Sequence, residues 1–179
     1  MDSLFGPNEI HNMQAVGSQV GGTAGLHHEG HPGFTTAQVT AGVQSGWLAK
    51  PAPVAAGPPQ VVVLTVGSND FGLGASWQQV ISDVSTLLDL VLALPTSPFV
   101  VVTEQILHSG SVNHNLTDNT RRQQPYNRAL PGMLATKPAG RVAVAHTSRL
   151  RQQDLDTSGV HPNDGGYRRF EWEVYYALA

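Results

Sequence analysis

Two short, almost uninterrupted β-branched runs with one long amphipathic segment between them constrain this chain most. Gln60 to Val66 reads QVVVLTV and Phe99 to Thr103 reads FVVVT. Continuous apolar runs of this length fit strands covered on both faces, because a strand with one wet face alternates. The segment between them, Ser76 to Leu94, carries Val80, Ile81, Val84, Leu87, Leu88, Val91 and Leu92 at helical spacing. Ser76 and Gln79 form a capping-box pattern at its start, and Pro95 marks its end. A strand, a helix and a second strand in this order predict a parallel pair joined by a right-handed crossover.

The rest of the chain extends that unit. Arg141 to Ala145 (RVAVA) alternates less fully and is expected nearer a sheet edge. Thr35 to Leu48 has the apolar spacing of a helix, as does Gly165 to Leu178, with Tyr167, Phe170, Val174 and Leu178 on one stripe. A further helix is expected from about Asn119 to Leu134, interrupted by Pro125 and Pro131. Strands alternating with helices indicate an α/β fold, a doubly wound, flavodoxin-like parallel sheet flanked by helices. At 179 residues, with no internal repeat, the sequence reads as a single domain over 1–179. Lys50 to Pro59 (KPAPVAAGPP) reads as a rigid surface loop.

Composition removes several classes of function. The chain has no cysteine, which excludes disulfides, thiolate metal sites and cysteine nucleophiles. Ten Lys and Arg against 13 Asp and Glu offer no basic surface for a phosphate backbone, so no nucleic-acid partner is expected. Arg121-Arg122 and Arg168-Arg169 read as solvated helix faces. No apolar run approaches the ~18–20 residues of a membrane span, so no membrane partner is expected. The opening Met1 to Pro7 lacks the pattern of a signal peptide, and the compartment stays open. So does the oligomeric state.

Ligands of open parallel sheets bind beyond the carboxyl ends of the strands. After the first run comes Gly67-Ser68-Asn69-Asp70; after the second come Glu104 and a polar loop; after the third comes Gly159-Val160-His161-Pro162-Asn163-Asp164. An Asn and a His therefore reach one rim from distant parts of the chain. An amide can donate to an oxyanion and an imidazole can act as general base, a combination suited to acyl transfer. His27, His28, Glu29 and His31 form a dense cluster that could join His108 and His114 around a metal. Its spacing is not H-E-x-x-H, and a hydrogen-bonded loop braced by Glu29 is the preferred reading. Trp47, Trp77 and Trp172 read as packing residues rather than sugar platforms. Asn115-Leu116-Thr117 fits a glycosylation sequon, and Ser18, Ser68 and Ser111 are alternative serines without a G-x-S-x-G elbow.

Three motifs occur in order: HEGHPGFT at His28 to Thr35, VGSND at Val66 to Asp70, and GVHPND at Gly159 to Asp164. They resemble blocks II, III and V of the SGNH (GDSL-type) hydrolases, and the first is similar to the acetylxylan esterases of carbohydrate esterase family three. Tyr126-Asn127-Arg128-Ala129-Leu130 resembles a further YN-x-x-L stretch of those enzymes. The resemblance runs from about Ala15 to the C-terminus. It implies a serine ester hydrolase acting on short-chain acyl esters through an acyl-enzyme, with carbohydrate O-deacetylation of the acetylxylan type. It also implies no metal and no organic cofactor. On this resemblance Gly33 offers its backbone N–H to the oxyanion, Asn69 offers its side-chain amide, and His161 is the general base.

Two departures stand out. The family's Asp lies three residues before the His, where this chain has Ser158; Asp156 and Asp154 are near but in another register. The block carrying the nucleophile is nearly missing. Met1-Asp2-Ser3-Leu4 resembles GDSL with Met at the glycine, which makes Ser3 the nucleophile candidate, yet only two residues precede it. The expectation is a sheet lacking its first strand and helix, with a strand-like stretch resuming at Ala15 (AVGSQVGG). A catalytically impaired remnant or carbohydrate-binding protein on the same scaffold is the alternative function, and a metal-dependent reading is a third.

Overall fold

A computed structural model describes residues 14–21, 25–51, 57–107 and 114–179, with the side chains of 114–119 outside the description. Three parallel strands form the main sheet: β3 (Val61–Leu64), β4 (Phe99–Thr103) and β5 (Val142–Ala145), in the order β3-β4-β5. The register pairs Val61 with Phe99 and Val100 with Val142, so the carboxyl ends of all three strands share one rim. The expected α/β architecture is present, with helices flanking a parallel sheet and β5 at an edge.

Helix α3 (Trp77–Leu92) makes the crossover from β3 to β4 and buries Val80, Val84, Leu87, Leu88 and Val91 completely. Ser76 caps it by accepting from the Gln79 N–H, while the Gln79 side chain donates to Asp83 instead of closing the box. Helix α1 (Thr36–Gln44) has the complete capping box, between Thr35 and Gln38. It packs against α3 and stops before Gly46, whose φ of 100° is left-handed. Helix α4 (His114–Leu134) runs through Pro125 and Pro131 without interruption. Each proline removes one N–H and crowds the preceding turn. The stripe Tyr126, Leu130 and Leu134, buried in the same core as α3, keeps the helix continuous through both. Helix α5 (Asp164–Leu178) starts at the Asn163 cap and packs on β4 and β5.

Three expectations change. The stretch beginning at Ala15 forms no strand of the parallel sheet. Its β1 (Gln19–Gly21) instead pairs antiparallel with β2 (Leu26–His28) in a separate two-stranded ribbon. Helix α2 (Ser68–Gly72) is a short turn of helix where only a loop was expected. Strand β3 is covered on one face only: Leu64 is in the core, whereas Val61 and Val63 are 45% and 44% exposed. Ser3, His108 and Ser111 lie outside the described residues, as do positions 52–56 of the KPAPVAAGPP loop and the side chains of His114 and Asn115.

Candidate active site

The turn after β3 is the best-anchored part of the rim. Gly67 adopts φ 99°, and a Cβ there would come within 2.9 Å of Val80, so only glycine fits between β3 and α3. The next residues enter α2. The buried Asp70 carboxylate accepts from the Thr36 N–H at 2.9 Å and from Thr36 Oγ1 at 3.0 Å, at the first residue of α1. A carboxylate there satisfies an otherwise orphaned helix N–H and faces the positive end of the helix. Beside it, the exposed Asn69 side chain donates through Nδ2 to the Phe34 carbonyl at 2.8 Å.

Those two ties bring the turn after β3 and the loop before α1 together. Gly33 sits in that loop, exposed, with φ 82° and open space where a Cβ would stand. Asn69 Nδ2 carries two hydrogens, and the bond to Phe34 uses one. The upstream part of the loop is braced as expected by Glu29, which accepts from Ser18 N at 2.7 Å, Ser18 Oγ at 2.8 Å and His31 Nε2 at 2.8 Å. Burial pushes the Glu29 carboxyl up, but these three donors outweigh it, and its pKa lies below the ordinary value. His31 stacks on Trp47 with centroids 4.1 Å apart, so Trp47 packs.

The neighbouring histidines face different partners. His27 hydrogen-bonds the Gly17 carbonyl, and His28 Nδ1 accepts from the Gly30 N–H. Among the described residues no three His, Asp or Glu side chains are placed to hold a metal ion.

His161 lies on the loop leading to α5. Its Nδ1 is 3.8 Å from Asp156 Oδ2, an ion-pair distance and too long for a hydrogen bond. Asp156 is held by Ser158, whose hydroxyl and N–H both donate to Oδ1, and the Asp156 N–H donates to the His161 carbonyl at 2.8 Å. The Ser158 hydroxyl bond is the chief reason the Asp156 carboxyl titrates below its ordinary value. Ser158, at the family's Asp position, thus holds the displaced carboxylate on the Nδ1 side of the imidazole. Asp154 points elsewhere, to the Arg151 N–H and Arg169. No hydrogen bond or ion pair among the described residues joins His161 to Asn69 or Gly33.

At the end of β4, the sequence marks Glu104 only as the start of a polar loop and does not single out Gln105. Glu104 accepts from Ser148 Oγ at 2.5 Å and pairs with His146 Nδ1 at 3.2 Å, while its carbonyl accepts from Thr147. Gln105 lies under the turn after β3 and bonds Val66, Ser68 and Asn127. The Tyr126 hydroxyl, buried without a hydrogen-bond partner, is pushed to a high pKa by burial and by the Asp70 and Glu104 charges. Arg122, expected on a solvated face, donates to the Phe71 carbonyl at 3.1 Å.

The sequence matches the GDSL-like lipase/acylhydrolase family over residues 8–169. The chain belongs to that family. The GDSL-type proteins are carboxylic ester hydrolases. Among solved structures, this GDSL-family chain resembles a carbohydrate esterase family 3 protein from Talaromyces cellulolyticus. The two share 21% identity and a TM-score of 0.76, over 92% of this chain and 80% of that one. It also resembles a Clostridium thermocellum family 3 carbohydrate esterase at 24% identity and TM-score 0.72, over 92% and 76%. An acetyl esterase mutant solved with acetate gives 21% identity and TM-score 0.74. No curated protein sequence matches the chain.

Proposed function

We propose that this chain is a serine esterase that removes short acyl groups, acetyl foremost, from carbohydrate hydroxyls. The observation that carries the reading is the Asn69 Nδ2 bond to the carbonyl of Phe34, which ties the Asn69 amide to the residue that follows the left-handed Gly33. The free Asn69 amide hydrogen and the Gly33 N–H are the two oxyanion donors. Acetyl is favoured because similar structures are described as an acetyl esterase and as carbohydrate esterases of family 3.

A serine hydroxyl, with Ser3 the candidate, attacks the ester carbonyl while His161 Nε2 takes its proton. Asp156, on the Nδ1 side, stabilises the imidazolium that forms. The oxyanion draws on Gly33 and Asn69, and collapse expels the sugar alcohol, protonated by His161. Water then repeats the sequence on the acyl-enzyme and releases the acid.

Hydrolysis of p-nitrophenyl acetate and acetylated xylo-oligosaccharides by the wild type and by His161→Ala, Asn69→Ala and Ser3→Ala tests the proposal. Turnover lost with His161 and lowered with Asn69 supports it, and turnover indifferent to His161→Ala rejects it. Loss with His161 alone, Ser3→Ala being silent, moves the nucleophile to another serine.

A second reading, a catalytically impaired scaffold that binds glycan, rests on the open 3.8 Å gap between His161 and Asp156. It requires that a fluorophosphonate probe leave the protein unlabelled.

A further inference from the structure

Gln105 follows β4 by two residues and is buried, although its side chain carries a full amide. Its four hydrogen bonds go to three places. Nε2 donates to the Val66 carbonyl at 2.6 Å, and Oε1 accepts from Ser68 Oγ at 2.8 Å. Its own N–H donates to Asn127 Oδ1 at 2.8 Å, and its carbonyl accepts from Asn127 Nδ2 at 2.9 Å. The amide therefore spans the two residues on either side of Gly67, with its nitrogen 3.1 Å from where a Gly67 Cβ would lie. Asn127, itself buried on α4, fixes the backbone from which that amide reaches.

This arrangement holds a left-handed turn from below. Gly67 is left-handed, and the next two residues are Ser68, gripped by Gln105, and Asn69. Asn69 is otherwise exposed, and its side chain is tied only through Nδ2 to Phe34 among the hydrogen bonds of the described residues. The direction of its remaining amide hydrogen thus depends on how firmly the Val66–Ser68 bend is set. We propose that Gln105 is a positioning residue that aims the Asn69 amide through the turn after β3. This rests on the oxyanion role of Asn69, and Gln105 itself touches no substrate.

The effect to expect follows from geometry. Loss of an oxyanion donor lowers kcat by about 10²–10³-fold, and displacement of a catalytic group by about 1 Å can reach about 10²-fold. Removing Gln105's grip while leaving Asn69 in place should fall short of that, at about tenfold in kcat with KM unchanged.

The test compares Gln105→Met, which removes both side-chain bonds, with Ser68→Ala, which removes only the one to Oε1. Each is made with Asn69 present and in an Asn69→Ala background. A drop in kcat with Asn69 present that disappears in the Asn69→Ala background confirms action through Asn69. An equal drop in both backgrounds, or none in either, overturns the inference. Should Gln105→Met fail to fold, the milder Ser68→Ala carries the same comparison.

A wild type without esterase activity would reject the proposed function, and the positioning claim would then be read by NMR. The Asn69 side-chain amide pair should move toward free-amide positions in Ser68→Ala and Gln105→Met. An unmoved pair overturns the claim.

Discussion

Two histidine–carboxylate pairs stand along the carboxyl ends of this sheet, and they are built oppositely. Glu104 and His146 are 3.2 Å apart, and the carboxylate is only 10% exposed, with its second oxygen taken by Ser148. Asp156 and His161 are 3.8 Å apart at 41% and 71% exposure. The tighter pair joins residues that directly follow β4 and β5, where the Glu104 N–H also donates to the Ala145 carbonyl at 3.0 Å. It belongs to the fold. The looser pair sits on the loop with the GVHPND motif, and under the proposed function its imidazole reaches a substrate and moves a proton. If the proposed function holds, the looser pair is the one that does chemistry, in keeping with catalytic contacts that often tighten only on binding.

The sharpest way to break this contrast is to exchange its consequences. His161→Ala should lower kcat by about 10³-fold or more and leave the melting temperature unchanged, because the side chain is largely in water. Glu104→Ala should do the reverse in stability, costing about 1–3 kcal/mol in denaturant unfolding by leaving Ser148 and His146 without their acceptor. If Glu104→Ala leaves unfolding unchanged, the structural assignment is wrong.

A smaller effect tests the looser pair. Asp156→Asn removes a charge that faces His161 across a gap, so a drop in kcat of about tenfold is expected, well short of the about 10⁴-fold loss when a hydrogen-bonded triad Asp is neutralised. Ser158→Ala, which removes the hydroxyl bond to Asp156 and keeps the backbone N–H one, should move kcat in the same direction by less.

The smallest effect concerns a third pair, Glu29 and His31 at 2.8 Å. The folded Glu29 carboxyl titrates below its ordinary 4.5, so its contribution is complete above that value and is lost as pH falls through the folded pKa. The Ser18 amide resonance, bonded to Glu29, should shift on acidification below about pH 4.5. A Glu29 titration at or above the ordinary value would remove the brace from the account.

The sequence was informative where interactions are local or periodic. The runs at Val61–Leu64 and Phe99–Thr103, the helix at Trp77–Leu92 and its cap at Ser76 follow from residue spacing alone. Burial of Tyr126 and Leu130 explains why α4 passes through Pro125 and Pro131, and that burial is a tertiary fact. Asn69, Gly33 and His161 are singled out because short motifs carry them, and their roles rest on the proposed function. Gln105 and Glu104 are not singled out, because their partners Ser68 and Ser148 lie 37 and 44 residues away and meet them only once the strands are side by side. The β1–β2 ribbon was hidden for the same reason, since AVGSQVGG does not announce which strand it will pair with.

The exposed valines of β3 have a practical consequence. Among the described residues β3 pairs with β4 alone, and the stretch QVVVLTV carries no charge to repel a neighbour. An uncharged β-branched edge is a template for the same edge on another molecule. Specific activity that changes with protein concentration is the expected sign of such pairing, and Val63→Lys should remove that dependence.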